Sequence, residues 1–179
     1  MIKPNPIISF VYLWIGVFLI FGTEQAWARQ EVVQVEIVSN AEQIQPGQEF
    51  LIGVHFTIEP GWHIYWKEPG DAGLATSIEF SSSIPVEFSN LYWPPHKNFR
   101  QPGNVTGYGY SSEVVIYSKA QLNPKAVIDS QLSIKGKIDW LACKEICVLG
   151  SKELDFNIPI KNKAVVKNEE LFTRFKGQI

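Results

Sequence analysis

Phe50-Leu51-Ile52-Gly53-Val54-His55-Phe56-Thr57-Ile58 sets an apolar side chain at every second position, through Phe50, Ile52, Val54, Phe56 and Ile58. A period of two marks a strand with one buried face, because successive side chains of extended backbone point to opposite sides. Pro46-Gly47 ahead of the run and Glu59-Pro60-Gly61 behind it are turn signals that bound it. On either side of it, Val33, Val35 and Ile37 alternate with Gln34 and Glu36, and Trp62-His63-Ile64-Tyr65-Trp66 reads as a third strand that gives way to a loop at residues 67–73. Further strands are expected at residues 76–80, 86–93, 113–119, 131–140 and 152–160, the last with Leu154, Phe156, Ile158 and Ile160 on one face. Residues 94–109 hold Pro94, Pro95, Pro102, Gly103, Gly107 and Gly109 and read as one long loop, of the kind that usually carries function. Residues 168–175 are expected to make one or two helical turns. About eight strands separated by turn signals predict an all-β chain folded as a β-sandwich.

Composition narrows the function classes. The chain has 179 residues, 45% hydrophobic and 19% charged, with a net charge of −2. That balance, without any Lys/Arg run, gives no electrostatic footprint for phosphates, so nucleic acid is not an expected partner. The apolar fraction is too high for a disordered chain, and two cysteines are too few for a disulfide-built miniature scaffold.

Residues 1–28 read as a signal peptide. Lys3 supplies a positive start, Ile7 to Phe21 an apolar stretch of about 15 residues, and Ala26-Trp27-Ala28 a small-x-small cleavage site. The stretch falls short of the roughly 20 residues a bilayer-spanning helix needs. Cleavage after Ala28 is expected, leaving residues 29–179 as one exported domain; an uncleaved membrane anchor is the alternative.

Export changes the meaning of Cys143 and Cys147, since disulfides persist outside the cytosol. Cys143-Lys144-Glu145-Ile146-Cys147 lies between two expected strands, and four positions of separation let the two Cβ atoms meet across a tight turn. As a staple the bridge would do little: closing so short a loop stabilises by about 2 kcal/mol, against about 4.7 kcal/mol for a 100-residue loop. The spacing leaves three readings open, namely a redox pair, a structural staple, and a pair of thiolate ligands for copper or zinc together with His55, His63 or His96. The histidines are scattered without ligand spacing, so no metal and no cofactor is expected. No Ser/His/Asp arrangement, paired carboxylates or phosphate-cradling glycine loop is present.

Alternation in Trp62-His63-Ile64-Tyr65-Trp66 puts Trp62, Ile64 and Trp66 on the core face and His63 and Tyr65 on the other. Were that second face turned toward the cysteines, His63 would be placed to tune or shuttle a thiol proton and Tyr65 to donate to a thiolate. Phe99 is an apolar residue among polar and turn-forming neighbours, a candidate either for core packing or for covering a site. Tyr108 and Tyr110 read as residues at the start of a strand.

Four segments taken together resemble a known family: Gly61-Trp62-His63-Ile64-Tyr65-Trp66-Lys67-Glu68-Pro69-Gly70-Asp71-Ala72-Gly73-Leu74, Trp93-Pro94, Tyr108-Gly109-Tyr110, and Trp140-Leu141-Ala142-Cys143-Lys144-Glu145-Ile146-Cys147. They look like the N-terminal periplasmic domain of the DsbD and ScsB thiol:disulfide interchange proteins. The resemblance implies an immunoglobulin-like β-sandwich whose cysteine pair passes electrons to exported partners. It maps the reactive pair onto Cys143 and Cys147, with Cys147 the attacking sulfur, and an aromatic cap onto Phe99 or a neighbour in its loop. Tyr65 matches a site-lining tyrosine, whereas His63 stands where the DsbD branch has another tyrosine. The cysteines are closer together than in DsbD, which favours the ScsB-like branch. In the family a membrane-embedded domain and a thioredoxin-like domain keep this domain reduced; this chain stops at Ile179 without them, so a separate membrane electron donor is expected.

The resulting expectation is a periplasmic thiol:disulfide exchange module, with possible protein-disulfide reductase activity. It would work with thioredoxin-like or disulfide isomerase proteins. Cys147 would attack, Cys143 would resolve, and Lys144 would help hold the thiolate. A non-catalytic immunoglobulin-like binding module with a structural disulfide, and a copper- or zinc-handling domain, are the alternatives.

Overall fold

The computed structural model describes residues 31–101 and 103–176, which belong to one compact unit. The expected signal peptide lies outside the described residues. Among the described residues, twelve strands and one short helix follow in order: β1 (Val33–Ser39), β2 (Ala41–Gln43), β3 (Glu49–Ile58), β4 (His63–Gly70), β5 (Ser77–Ser82), β6 (Val86–Phe88), β7 (Lys97–Gln101), β8 (Val105–Tyr110), β9 (Glu113–Leu122), β10 (Ser130–Cys143), β11 (Cys147–Ile160), β12 (Val165–Val166) and α1 (Glu169–Arg174).

The strands form two main antiparallel sheets. One runs β1-β3-β9-β6; the other runs β11-β10-β4-β8-β7, with β5 also paired to β10. Between them lies the core that the alternation of β3 predicts. Val54 and Phe56 of the first sheet pack in one cluster with Ile64, Ile138 and Trp140 of the second. Phe50 and Ile52 join Leu132, Ile134 and Ile158 in another. The all-β sandwich read from the sequence is the fold observed. Burying side chains of this size contributes about 1.5–3 kcal/mol each, so these facing rows are what hold the sheets together.

The first sheet is also covered on its outside, by α1. Phe172 is 4% exposed and meets the Tyr117 ring edge-on at 5.5 Å, beside buried Val115. That is why β9 is buried on both faces instead of alternating. Glu169 and Glu170 in the first turn and Arg174 in the last match the helix dipole, and Arg174 reaches Glu113 at 2.9 Å.

The sequence reading needs correction at three places. Residues 94–109 are not one loop, because β7 and β8 pair within them, turning at Gly103 and Asn104, both at positive φ. The glycines of β8 mark close strand approach: a Cβ on Gly109 would lie 1.9 Å from the Ile64 carbonyl oxygen. Nor is 67–73 wholly loop, since β4 continues to Gly70 with its register against β8 shifted between Tyr65 and Gly70. The expected strand at 86–93 stops at Phe88, where the Ser89 side chain takes over as acceptor for the Lys119 amide, and an isolated bridge joins Tyr92 to Tyr117 beyond it.

Candidate functional site

The two long strands β10 and β11 pair over their whole length and end on each other at Cys143 and Cys147. Three residues, Lys144 to Ile146, close the hairpin, with the Lys144 amide donating to the Ile146 carbonyl at 3.0 Å. A register that sets two cysteines opposite each other brings their side chains together, and here they form a disulfide with Cα atoms 4.1 Å apart. Its two sulfurs belong to unlike residues: Cys143 is 2% exposed, whereas Cys147 is exposed at the start of an edge strand.

Cys143 has a second cross-strand partner. The end of β10 pairs with the start of β4, matching Ala142 with Ile64 and Cys143 with His63. Cys147, Cys143 and His63 therefore form a row across three strands on one sheet face, opposite the face that Ile64 turns to the core. The His63 ring is stacked on Phe99 from β7, centroids 4.5 Å apart and planes 19° apart, and meets Tyr65 edge-on at 5.2 Å. Its Nε2 is buried with no hydrogen-bond partner. Burial holds the imidazole below its ordinary pKa of 6.5, because the cation would lose its hydration.

The surrounding segments keep these rings in place. Tyr65 is 1% exposed; Gly73 lies against its ring so closely that a Cβ there would come within 2.3 Å, and the buried Thr76 hydroxyl donates to the Tyr65 carbonyl at 2.6 Å. Asp71 ties this loop to the β7–β8 hairpin: its amide donates to the Thr106 carbonyl and its carboxylate accepts from the Thr106 amide, each at 2.9 Å. At the hairpin's other end the Tyr110 hydroxyl donates to the Pro94 carbonyl at 2.8 Å, in surroundings whose burial pushes the phenol well above its usual range. Lys144 is exposed, and its aliphatic chain runs across Gly61, where an added Cβ would sit 3.0 Å from Cε.

Of the residues singled out in the sequence, Cys143, Cys147, His63, Tyr65 and Phe99 thus gather on one sheet face, with Lys144 at its margin. The Phe99 ring rests on His63. His55 and His96 lie elsewhere: His55 stands between Glu36 at 2.8 Å and Glu113 at 2.7 Å, and His96 lies against Trp66 and Tyr108. Among the described residues no group of three or more His, Cys, Asp or Glu is arranged to hold a metal ion. Sequence reasoning missed Gly61, Gly73 and Thr76 as parts of the site, because each acts through a contact outside its own segment that alternation along the chain does not show. It also missed the apolar surroundings of Cys147, where Ile146 is 67% exposed and Leu149 72% exposed; the period of two from Cys147 to Leu149 was the available signal.

A disulfide between an exposed cysteine and a buried one is open to an outside thiol from the Cys147 side, and access is one of the factors that set which sulfur is attacked. No helix among the described residues is long and apolar enough to cross a membrane. Comparison with known proteins bears on the same chemistry. The family model for the thiol:disulfide interchange protein DsbD, N-terminal, matches residues 29–159. The chain is similar to the N-terminal periplasmic domain of ScsB from Proteus mirabilis, at 22% identity and a TM-score of 0.60, covering 83% of this chain and 56% of that one. It thus spans little more than half the length of that ScsB chain. It also matches the DsbD N-terminal domain of Neisseria meningitidis in its reduced form, at 17% identity and a TM-score of 0.34, over 73% of this chain and 89% of that one. No curated protein matches. With the family match running from before β1 almost to the end of β11 and taking in both cysteines, the chain belongs to the family of the DsbD N-terminal domain.

Proposed function

We propose that this domain carries electrons between proteins outside the cytosol through reversible opening of the Cys143–Cys147 disulfide. The observation that carries the reading is the unequal exposure of the two cysteines, with Cys143 2% exposed and Cys147 open to solvent. In the reduced domain the Cys147 thiolate attacks a partner's disulfide and forms a mixed disulfide, releasing one partner thiolate. Cys143 then attacks the Cys147 sulfur, which frees the second partner thiolate and closes the intramolecular bridge. A partner dithiol reopens it by the same steps in reverse. The Lys144 ammonium, next in the chain to Cys143, favours the thiolate forms electrostatically.

The reading extends to an exported protein whose residues 1–28 are removed, with residues 29–179 as the working domain. Its partners are a membrane reductant on one side and periplasmic thioredoxin-like or disulfide isomerase proteins on the other. The test is trapping. A Cys143→Ala variant, unable to resolve, should accumulate mixed disulfides through Cys147 with exported redox proteins, whereas Cys147→Ala should not. A Cys143→Ala protein that folds normally and traps nothing would sink the proposal, as would a reduction potential below about −300 mV, where inert structural bridges lie.

A further inference from the structure

Resolution of the mixed disulfide poses a problem of protons. Cys147 is exposed and can give its proton to water, but Cys143 is 2% exposed and enters the second step as a buried thiol. Burial in apolar surroundings raises a thiol's pKa and keeps it protonated, yet only the thiolate is a good nucleophile. A group inside the protein has to take that proton.

We propose that His63 is the base that accepts the proton of Cys143 as this thiol closes the disulfide. The proposal rests on the exchange role of the cysteine pair given above. Three observations carry it. His63 is the cross-strand partner of Cys143 on the face that also carries Cys147, and side chains so paired have Cβ atoms about 5 Å apart. Its Nε2 is buried and has no partner in the disulfide form, so an acceptor position stands free once the bridge opens. The Phe99 ring lies flat against the imidazole and, with Tyr65 edge-on, fixes it and keeps water from competing for that nitrogen.

The other titratable or charged groups around His63 do not fill the role. Lys144 and Glu145 share the β10–β11 turn, where Lys144 is a cation held against Gly61 and Glu145 is exposed to solvent, and Tyr65, on the same strand as His63, is a phenol that meets the imidazole edge-on. From β7 the ring receives Phe99, with Lys97 and Arg100, both cations, as the charged residues flanking it. Burial, which lowers the pKa of His63, keeps the imidazole neutral and so able to accept.

The step balances without any further reagent. The proton leaves Cys143 for the imidazole as the Cys143 sulfur's electron pair forms the bond to the Cys147 sulfur. The bond from Cys147 to the partner sulfur breaks, its electron pair departs with the partner as a thiolate, and the imidazolium returns its proton to that thiolate or to solvent. Cys143 and Cys147 end oxidised by two electrons, and the partner's disulfide ends reduced by two.

Reduced protein mixed with a chromogenic aryl disulfide gives two phases of aryl-thiolate release, the first from attack by Cys147 and the second from closure by Cys143. In the unmodified protein the second phase should rise with pH only until His63 has lost its proton, below the ordinary 6.5, and stay flat from there to pH 8. His63→Phe, which keeps an aromatic ring against Phe99, should slow the second phase more than the first. It should slow the second roughly tenfold or more at pH 7 and make it climb about tenfold per pH unit, as specific-base attack by a thiol does. His63→Gln should behave like His63→Phe. A second phase in the unmodified protein that already climbs tenfold per unit through pH 8, or one that neither variant changes, overturns the role of His63 while leaving the exchange reading intact. A Cys147 that gives no first phase overturns both.

Discussion

At the scale of single residues, His63 shows how one neutral side chain becomes informative through its surroundings. In the sequence it is one histidine of three, on the polar side of a core stripe. In the fold it lies in register with Cys143, sandwiched against Phe99, with a buried nitrogen lacking a partner. Its lowered pKa is also a statement about stability. The unfolded chain takes up the His63 proton near 6.5, whereas the folded chain resists until a lower pH, so the unfolded state binds more protons between the two values. Stability from this group is therefore complete above pH 6.5 and is lost as pH falls through the folded-state value. His63→Phe should remove that component: the midpoint difference between variant and parent in urea unfolding should move in the variant's favour as pH falls below 6.5. A difference that stays constant with pH would show that His63 is not desolvated in the folded protein.

Among the elements, the β10–β11 hairpin carries most of the meaning. Its cysteine spacing allowed a tight turn to be read directly, because three intervening residues leave few other ways for the two side chains to meet. The β7–β8 hairpin was not legible, since Gly107 and Gly109 look like loop residues until Ile64 is seen packed against the Gly109 backbone. The hairpin supplying the disulfide does not depend on it for its shape: β10 and β11 pair over fourteen residues each, and Trp140 lies flat against Gly150, where a Cβ would come within 2.1 Å of the ring. Replacing both cysteines by serine should therefore leave the domain folded and cost about 2 kcal/mol, the loop-closure contribution of so short a bridge. Denaturant unfolding of the double variant measures this; a loss above about 4 kcal/mol would make the disulfide a structural staple after all.

For the whole molecule, stability rests on the facing rows of the two sheets. Phe56 is fully buried and meets Trp140 edge-on at 6.1 Å across the sandwich, joining β3 to the strand that ends at Cys143. Phe56→Ala should cost about 3–5 kcal/mol in urea unfolding, a loss under 1 kcal/mol being incompatible with this packing. That the chain is a β-sandwich and that its cysteines share a turn is legible in the order of its amino acids. Both follow from local regularities, the period of two along a strand and the reach of a short loop. Folding is what places one histidine of three beside the pair, rests Phe99 on that histidine, and buries Cys143 while leaving Cys147 exposed. These depend on strands far apart in the chain meeting in one register, and a shift of one residue in that register would have turned His63 to the core and Ile64 to the cysteines.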